Sequence, residues 1–278
     1  MASIRPSRIS PDAPGVSERA PNLRSGLLPL GGVVIVVAIA WAYLGYMAWA
    51  MENMDVSADW WLMPRMTNWD GADLAFVFAM WAIMMTAMML PSALPLLSLL
   101  ARSNSQRYSR ARTLLATSAA VLGYVIAWAA FSAVATLAQW GLLEARLVSP
   151  VMASSTPYLS ALLLAAAGAY QFSALKYACL SRCRSPLGAL MTQKRDGITG
   201  ALLLGLGQGA YCVGCCWLLM ALLFVLGVMN LLWIAALTLL VLLEKFLREP
   251  RWFVQLTGAA LVVWAVLLVG QVVLLAQR

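Results

Sequence analysis

Residues 199–226 read TGALLLGLGQGAYCVGCCWLLMALLFVL, a run without a single Asp, Glu, Lys or Arg. A helix that crosses the hydrocarbon core of a bilayer needs about 20 mostly apolar residues. Because lipid offers no hydrogen-bond partners to backbone groups, a run of this length is predicted to be helical. The stretch therefore indicates an all-α integral membrane protein.

Seven segments of this kind are predicted to span the membrane: 30–50, 74–100, 113–140, 157–178, 199–226, 229–246 and 252–276. The composition agrees, since 63% of the 278 residues are hydrophobic and 11% are charged, against about 25% charged in soluble domains. We expect Lys176 and Glu244, near span ends, to reach the headgroups. The predicted architecture is a polytopic helix bundle of about seven spans over residues 30–278, after a disordered cytoplasmic tail at 1–29.

The distribution of Lys and Arg predicts the orientation. With seven spans, sixteen of the nineteen cations, among them Lys245 in the last cytoplasmic loop, fall on one side, and the exceptions are Arg65, Arg146 and Arg278. Cytoplasmic loops carry the excess of cations, so the N-terminus is predicted to be cytoplasmic and the C-terminus outside a bacterial inner membrane. The net charge of +8 then reflects topology and contact with the lipid bilayer, and no nucleic-acid partner is predicted. The chain has no histidine, which excludes His-based zinc sites and His-dependent catalysis.

Five methionines occupy ten residues of the second predicted span, in Met80-Trp-Ala-Ile-Met-Met-Thr-Ala-Met-Met-Leu-Pro. They follow one helix face and the positions beside it: Met80, Met84, Met85, Met88 and Met89. A ladder of thioethers suits a soft cation such as Cu(I), although methionine is also an adaptable apolar filler. Pro91 and Pro95 are predicted to bend the helix and to free backbone carbonyls, which requires cover by other protein.

Three cysteines share one face of the fifth predicted span, because Cys212, Cys215 and Cys216 stand at positions i, i+3 and i+4. Thiolates select Cu(I), zinc or iron–sulfur clusters. A zinc site lacks an evident fourth ligand, so the trio favours Cu(I), with packing at a tight helix crossing as the alternative. Gly205 and Gly209 form a small-residue pair that predicts such a crossing.

Cys179 and Cys183 form a second candidate site, predicted at the cytoplasmic end of the fourth span. Neighbouring cations would favour their thiolates, which are better ligands and nucleophiles. At 1.5 Å per residue, Cys212 is predicted to lie about 20 Å from the cytoplasmic end of its own helix. A single site of five cysteines is therefore not expected unless the glycine-rich helix is broken. By contrast, the methionines at 84–89 and the cysteines at 212–216 are predicted to share one depth.

The outer loop between the first two spans, Met51 to Asp73, is the acidic stretch of the chain. Its carboxylates and thioethers would suit the collection of copper in either oxidation state. The favoured interpretation is an ordinary acidic outer loop whose methionines and tryptophans pack at the interface. Asp70 and Asp73 are predicted to cap the second helix.

Three motifs together resemble one bacterial family. They are Met80-Trp-x-x-Met-Met-x-Ala-Met-Met-x-Pro, Cys179-Leu-x-x-Cys183-Arg-x-Pro and Tyr211-Cys-Val-Gly-Cys-Cys-Trp-x-Leu-Met220. The chain resembles, over roughly residues 65–250, the predicted metal-binding integral membrane proteins labelled domain of unknown function 2182. The resemblance implies a multi-helix inner-membrane protein with a metal site.

The predicted function is the binding or conduction of a soft metal ion, with copper favoured by the sulfur donors. The methionines would pass the ion, the trio at 212–216 would hold it, and Cys179 and Cys183 would release it inside. Neither a nucleotide-binding motif nor an intramembrane Asp, Glu or His relay is evident, which favours a non-enzymatic facilitator, metal donor or sensor. Its partner would be a metal chaperone or a larger membrane complex. Two alternatives stay open, a membrane thiol–disulfide oxidoreductase and a non-catalytic assembly partner of a membrane complex.

Overall fold

The computed structural model describes residues 23–52, 69–145, 157–191, 197–228, 230–247 and 249–277. Within these ranges the regular structure is helical throughout, which confirms the all-α prediction. A 3-10 turn, Leu90–Ala93, joins the second and third helices. The helices are α1 (Leu23–Glu52), α2 (Gly71–Met89), α3 (Leu94–Arg107), α4 (Arg110–Glu144), α5 (Pro157–Gln171), α6 (Ala174–Cys183), α7 (Pro186–Met191), α8 (Gly197–Ala221), α9 (Leu223–Leu226), α10 (Leu231–Phe246) and α11 (Pro250–Ala276).

Not every predicted span is a long helix. Among the described residues, five stretches are long and apolar enough to cross a membrane: Leu30–Ala50, Gly71–Arg107, Arg110–Glu144, Gly197–Leu226 and Pro250–Leu275. The pair α5 and α6, bent by 67°, makes a sixth if it is counted as one span. The segment predicted at 229–246 forms α10, which has only 16 residues. The described chain thus gives five or six candidate spans where about seven are predicted.

The N-terminal end of α2 is capped as predicted. The Asp70 carboxylate accepts from the backbone N–H groups of Ala72 and Asp73 at 2.9 and 3.1 Å, and the Asp73 carboxylate accepts from the Asp70 N–H at 3.1 Å. At the N-terminus, α1 begins at Leu23, so residues 23–29 of the predicted tail are helical. The rest of that tail and residues 53–68 of the acidic loop lie outside the described residues.

A 3-10 turn that contains Pro91, followed by α3 with Pro95 in its first turn, interrupts the α-helix of the second span, and this frees a backbone carbonyl as predicted. Pro91 lacks the N–H that would pair with the Ala87 carbonyl, and the Trp41 indole donates to that carbonyl at 3.2 Å. The Met89 carbonyl accepts from the hydroxyls of Ser92 and Tyr124 at 2.7 and 2.8 Å. The break is therefore covered by neighbouring side chains, as a bilayer requires.

The closest helix contact is between α4 and α8, at the predicted small residues. A Cβ added to Gly205 would lie 1.9 Å from the Ala120 backbone oxygen, and one added to Gly209 would lie 2.6 Å from the Ala127 Cβ. The two backbones therefore approach closely only because these positions carry no side chain. The crossing buries the face of α8 that carries Gly205, Gly209 and Cys212.

Candidate metal centre

The three cysteines of α8 form one buried face. Their exposed fractions are 0% for Cys212 and Cys216 and 1% for Cys215. The thiols of Cys215 and Cys216 donate to the Cys212 carbonyl at 3.1 and 3.0 Å. The spacing i, i+3 and i+4 thus gathers three sulfurs on the inner side of the helix, as predicted.

Cys183, at the end of α6, belongs to the same group. Its thiol lies within electrostatic reach of the Cys212 and Cys215 thiols, and the Gln208 amide donates to its carbonyl at 2.7 Å. The predicted separation of Cys183 from Cys212 is wrong, because α6 turns by 67° from α5 and lies against the middle of α8. We call Cys183, Cys212, Cys215 and Cys216 the thiol cluster.

Cys179 occupies a different part of the α6–α8 contact. Its Sγ lies 2.8 Å from the position that a Cβ on Gly214 would take, and the residue is half-buried. All five cysteines are free thiols. The structure therefore divides the predicted pair, with Cys183 in the thiol cluster and Cys179 packed on Gly214.

A lysine ammonium lies against the thiol cluster. Lys245 Nζ donates to Cys212 Sγ and to the Ser92 hydroxyl, both at 2.8 Å. The Tyr124 hydroxyl lies 2.9 Å from the same sulfur. The assignment of Lys245 to a cytoplasmic loop is wrong, because the residue is 7% exposed and its side chain lies inside the bundle.

The short length of α10 positions Lys245. Arg184, which directly follows Cys183, donates through Nε to the Lys245 carbonyl at 2.9 Å and through a second guanidinium nitrogen to the Leu247 carbonyl. The last carbonyls of a helix lack donors within the helix, so this guanidinium caps α10. The cap holds the end of α10 next to the thiol cluster.

Glu244 reaches a different partner from that of Lys245. Its carboxylate pairs with Lys176 Nζ at 2.7 Å and accepts from the Gln171 amide at 2.9 Å. The side chains of Lys176 and Glu244 are 0% and 1% exposed, so the prediction that both reach the headgroups is wrong. This buried ion pair holds α10 against α5 and α6.

The methionine ladder lies in the bundle core, in the buried residues Met80, Met84, Met85, Met88 and Met89. Helix α4 packs against both α2 and α8. Its Tyr124 hydroxyl donates to the Met89 carbonyl at 2.8 Å and lies 2.9 Å from Cys212 Sγ. The end of the ladder and the thiol cluster are therefore at one level, as predicted, with α4 between them.

The thiol cluster contains soft donor atoms, but they do not form a complete coordination sphere. In the part of the chain that the structure describes, no three His, Cys, Asp or Glu side chains are arranged to hold a metal ion as they stand. Cys215 and Cys216 direct their thiols at a backbone carbonyl. To bind an ion, these thiols would therefore have to give up their hydrogen bonds to the carbonyl and direct their sulfur atoms at the metal.

A family model described as a copper chaperone, PpoB2, matches residues 78–268. The chain belongs to this copper-chaperone family. The matched range includes the methionine ladder, all five cysteines and Lys245. The match supports the predicted relation to copper, although the family name differs from domain of unknown function 2182. No match was found among curated proteins or among solved structures.

Three residues of the site are not predicted from the sequence: Ser92, Tyr124 and Lys245. Lys245 does carry a signal, because the Glu-Lys pair at 244–245 follows a long apolar run and an ionisable residue inside a span is a functional candidate. Ser92 lies next to the helix-breaking Pro91, where freed carbonyls attract hydroxyls. Nothing local distinguishes Tyr124 from other aromatic residues of the spans.

Proposed function

We propose that this member of the copper-chaperone family holds Cu(I) on the thiol cluster inside the membrane bundle and passes it to a partner. The observation that carries the proposal is the set of four buried thiols with an ammonium 2.8 Å from the Cys212 sulfur. Thiolates prefer Cu(I) to hard cations. Burial shields a bound ion from water and from competing ligands.

Lys245 provides a charge argument for a monovalent ion. A Cu(I) ion held by two thiolates carries one net negative charge, and a buried charge needs a partner. The ammonium of Lys245 is placed to balance that charge, since the adjacent Glu244 is already paired with Lys176. We therefore assign Cys212 as the first ligand, and the other three thiols of the cluster as candidates for the second.

The methionines of α2 provide a second set of soft donors. We assign them a transient role in moving the ion to or from the thiol cluster, because the ladder ends at the Met89 carbonyl that Tyr124 links to Cys212. A soluble metal chaperone or a larger membrane complex would be the partner in the transfer. If the ion enters at Met80, it moves towards the thiol cluster; if it enters at Met89, it moves away from the thiol cluster.

Burial disfavours the thiol–disulfide oxidoreductase alternative. Disulfide exchange requires a thiolate to attack a sulfur of the substrate directly. Cys212 and Cys215 are 0% and 1% exposed, which leaves no path for a protein substrate to reach them. A small soft ion needs far less access than a polypeptide disulfide.

The test is the metal content of protein purified from cells supplied with copper, zinc and iron. The wild type is expected to retain stoichiometric copper in preference to zinc, and Cys212→Ser/Cys215→Ser/Cys216→Ser to insert normally but lose it. Cys179→Ser is the matched control, because this thiol packs on Gly214, and it should keep wild-type copper. Wild-type copper content in the triple variant would overturn the proposal.

We also propose an inner-membrane location with a cytoplasmic N-terminus, which the loop cations support. A topology reporter fused after Ala50 should read outside, and one fused near Arg107 should read inside. A fusion at Arg278 should read outside if α10 and the bent pair α5–α6 both cross. A cytoplasmic signal at Arg278 would show that one of these two elements does not cross.

A further inference from the structure

A cavity of about 700 Å³ lies where the end of α3, the start of α4, the end of α7 and the start of α8 meet. The lining residue of α8 nearest to Cys212 along the helix is Ala201, which precedes Cys212 by about 16 Å of helix. No residue of the thiol cluster lines it. It is therefore a second feature of the bundle, separate from the candidate metal centre.

The lining of this cavity changes from apolar to basic. Leu100, Ala116 and Ala201 are buried and form an apolar floor. Arg107 and Arg112 line the cavity from α3 and α4, and both residues are exposed. Among the described residues, none that lines the cavity is acidic. We call this feature the basic cavity.

We propose that the basic cavity binds one anionic phospholipid, with its phosphate between Arg107 and Arg112 and an acyl chain on the apolar floor. Guanidinium groups bind phosphate through paired hydrogen bonds. Ser103 and Asn104, which also line the cavity and are half-buried, offer polar groups to the glycerol oxygens.

The place of the cavity favours a lipid over a dissolved anion. It lies at the ends of three helices long enough to cross a membrane, which is the level of the headgroups. Basic residues at this level attract anionic lipids. A site for free phosphate would not need the buried apolar floor. Lipid binding in the basic cavity involves no thiol and is independent of copper binding.

The experiment is native mass spectrometry of the full-length protein in detergent, titrated with phosphatidylglycerol, phosphatidylcholine or inorganic phosphate. The test variant is Arg107→Gln/Arg112→Gln. The matched control is Arg102→Gln/Arg110→Gln, which removes the same charge from the same two helices at exposed positions that do not line the cavity. Circular dichroism and size-exclusion chromatography verify that each variant is folded.

We expect the wild type to bind phosphatidylglycerol at least about tenfold more tightly than phosphatidylcholine. Removing both cavity arginines should weaken phosphatidylglycerol binding about thirty-fold, from the contribution of each cation near an anionic lipid, while the control keeps wild-type affinity. Equal losses in the two variants, or no preference for phosphatidylglycerol, would overturn the proposal. Competition by inorganic phosphate at the same concentrations would also overturn it, in favour of a soluble anion.

Discussion

Removing one member of the Lys176–Glu244 pair should destabilise the protein more than removing both charges. The Nζ and Oε2 atoms are 2.7 Å apart, which corresponds to an attraction of about 6 kcal/mol at an effective dielectric constant of about 20. This attraction offsets the cost of burying two ions. In Lys176→Met, Glu244 stays buried with the Gln171 amide as its remaining partner. We expect the free energy of unfolding to fall by about 3–5 kcal/mol.

The variant Lys176→Met/Glu244→Gln is the matched control. A neutral amide at position 244 accepts from the Gln171 nitrogen and donates to the Gln171 Oε1, which has no hydrogen-bond partner among the described residues. Because no charge remains buried, the expected loss is about 1 kcal/mol. The single variant Glu244→Gln leaves Lys176 charged and should cost about as much as Lys176→Met.

The assay is unfolding in mixed micelles by titration with sodium dodecyl sulfate, followed by far-ultraviolet circular dichroism. The four proteins form a double-mutant cycle, and we expect a coupling energy of at least about 3 kcal/mol. If the two single losses simply add in the double variant, the reasoning from a buried and mutually neutralising pair is refuted.

Three further changes test the packing and the proposed path. Gly205→Ala should lower the free energy of unfolding by about 1–3 kcal/mol. Gly207→Ala, with open space around the added methyl group, should be neutral or slightly stabilising. Thermal unfolding compares the two variants, and equal effects would contradict the tight crossing of α4 and α8. Trp41→Phe should cost about 1–3 kcal/mol by leaving the Ala87 carbonyl unpaired, with the exposed Trp49→Phe as the control in the same assay. The third change replaces four methionines of α2 by leucine: Met84, Met85, Met88 and Met89. The variant should fold but deliver less copper in cells, and wild-type copper delivery would mean that the methionines serve only in packing.

Several features of the fold follow from the sequence because short-range chemistry determines them. The Asp70 cap depends on a side chain and the N–H groups two and three residues later. The break after α2 depends on the missing N–H of Pro91. The crossing of α4 and α8 depends on side-chain size at Gly205. Each of these effects acts within a few residues or at one contact. A short sequence pattern is therefore sufficient to predict it.

The thiol cluster is predictable only in part, because its remaining members come from distant helices. Spacing alone places Cys212, Cys215 and Cys216 on one face. Cys183 joins them through the bend between α5 and α6, and Lys245 through the early end of α10. The local sequence around a lysine at the membrane surface resembles that around a buried and paired lysine, so hydropathy does not separate the two.

Consecutive residues Glu244 and Lys245 fix the angle at which α10 is turned about its own axis. Neighbouring side chains on an α-helix diverge by about 100°, and here one reaches Lys176 while the other reaches Cys212. The leucine-rich remainder of α10 would pack against its neighbours at several angles. A rotation of α10 by about 100° would leave a charge against apolar surface. The two ions therefore determine the rotational orientation of the helix. Any event at Cys212 that displaced Lys245 would then also rotate α10 and strain the Glu244–Lys176 pair, which lies about 100° away around the helix.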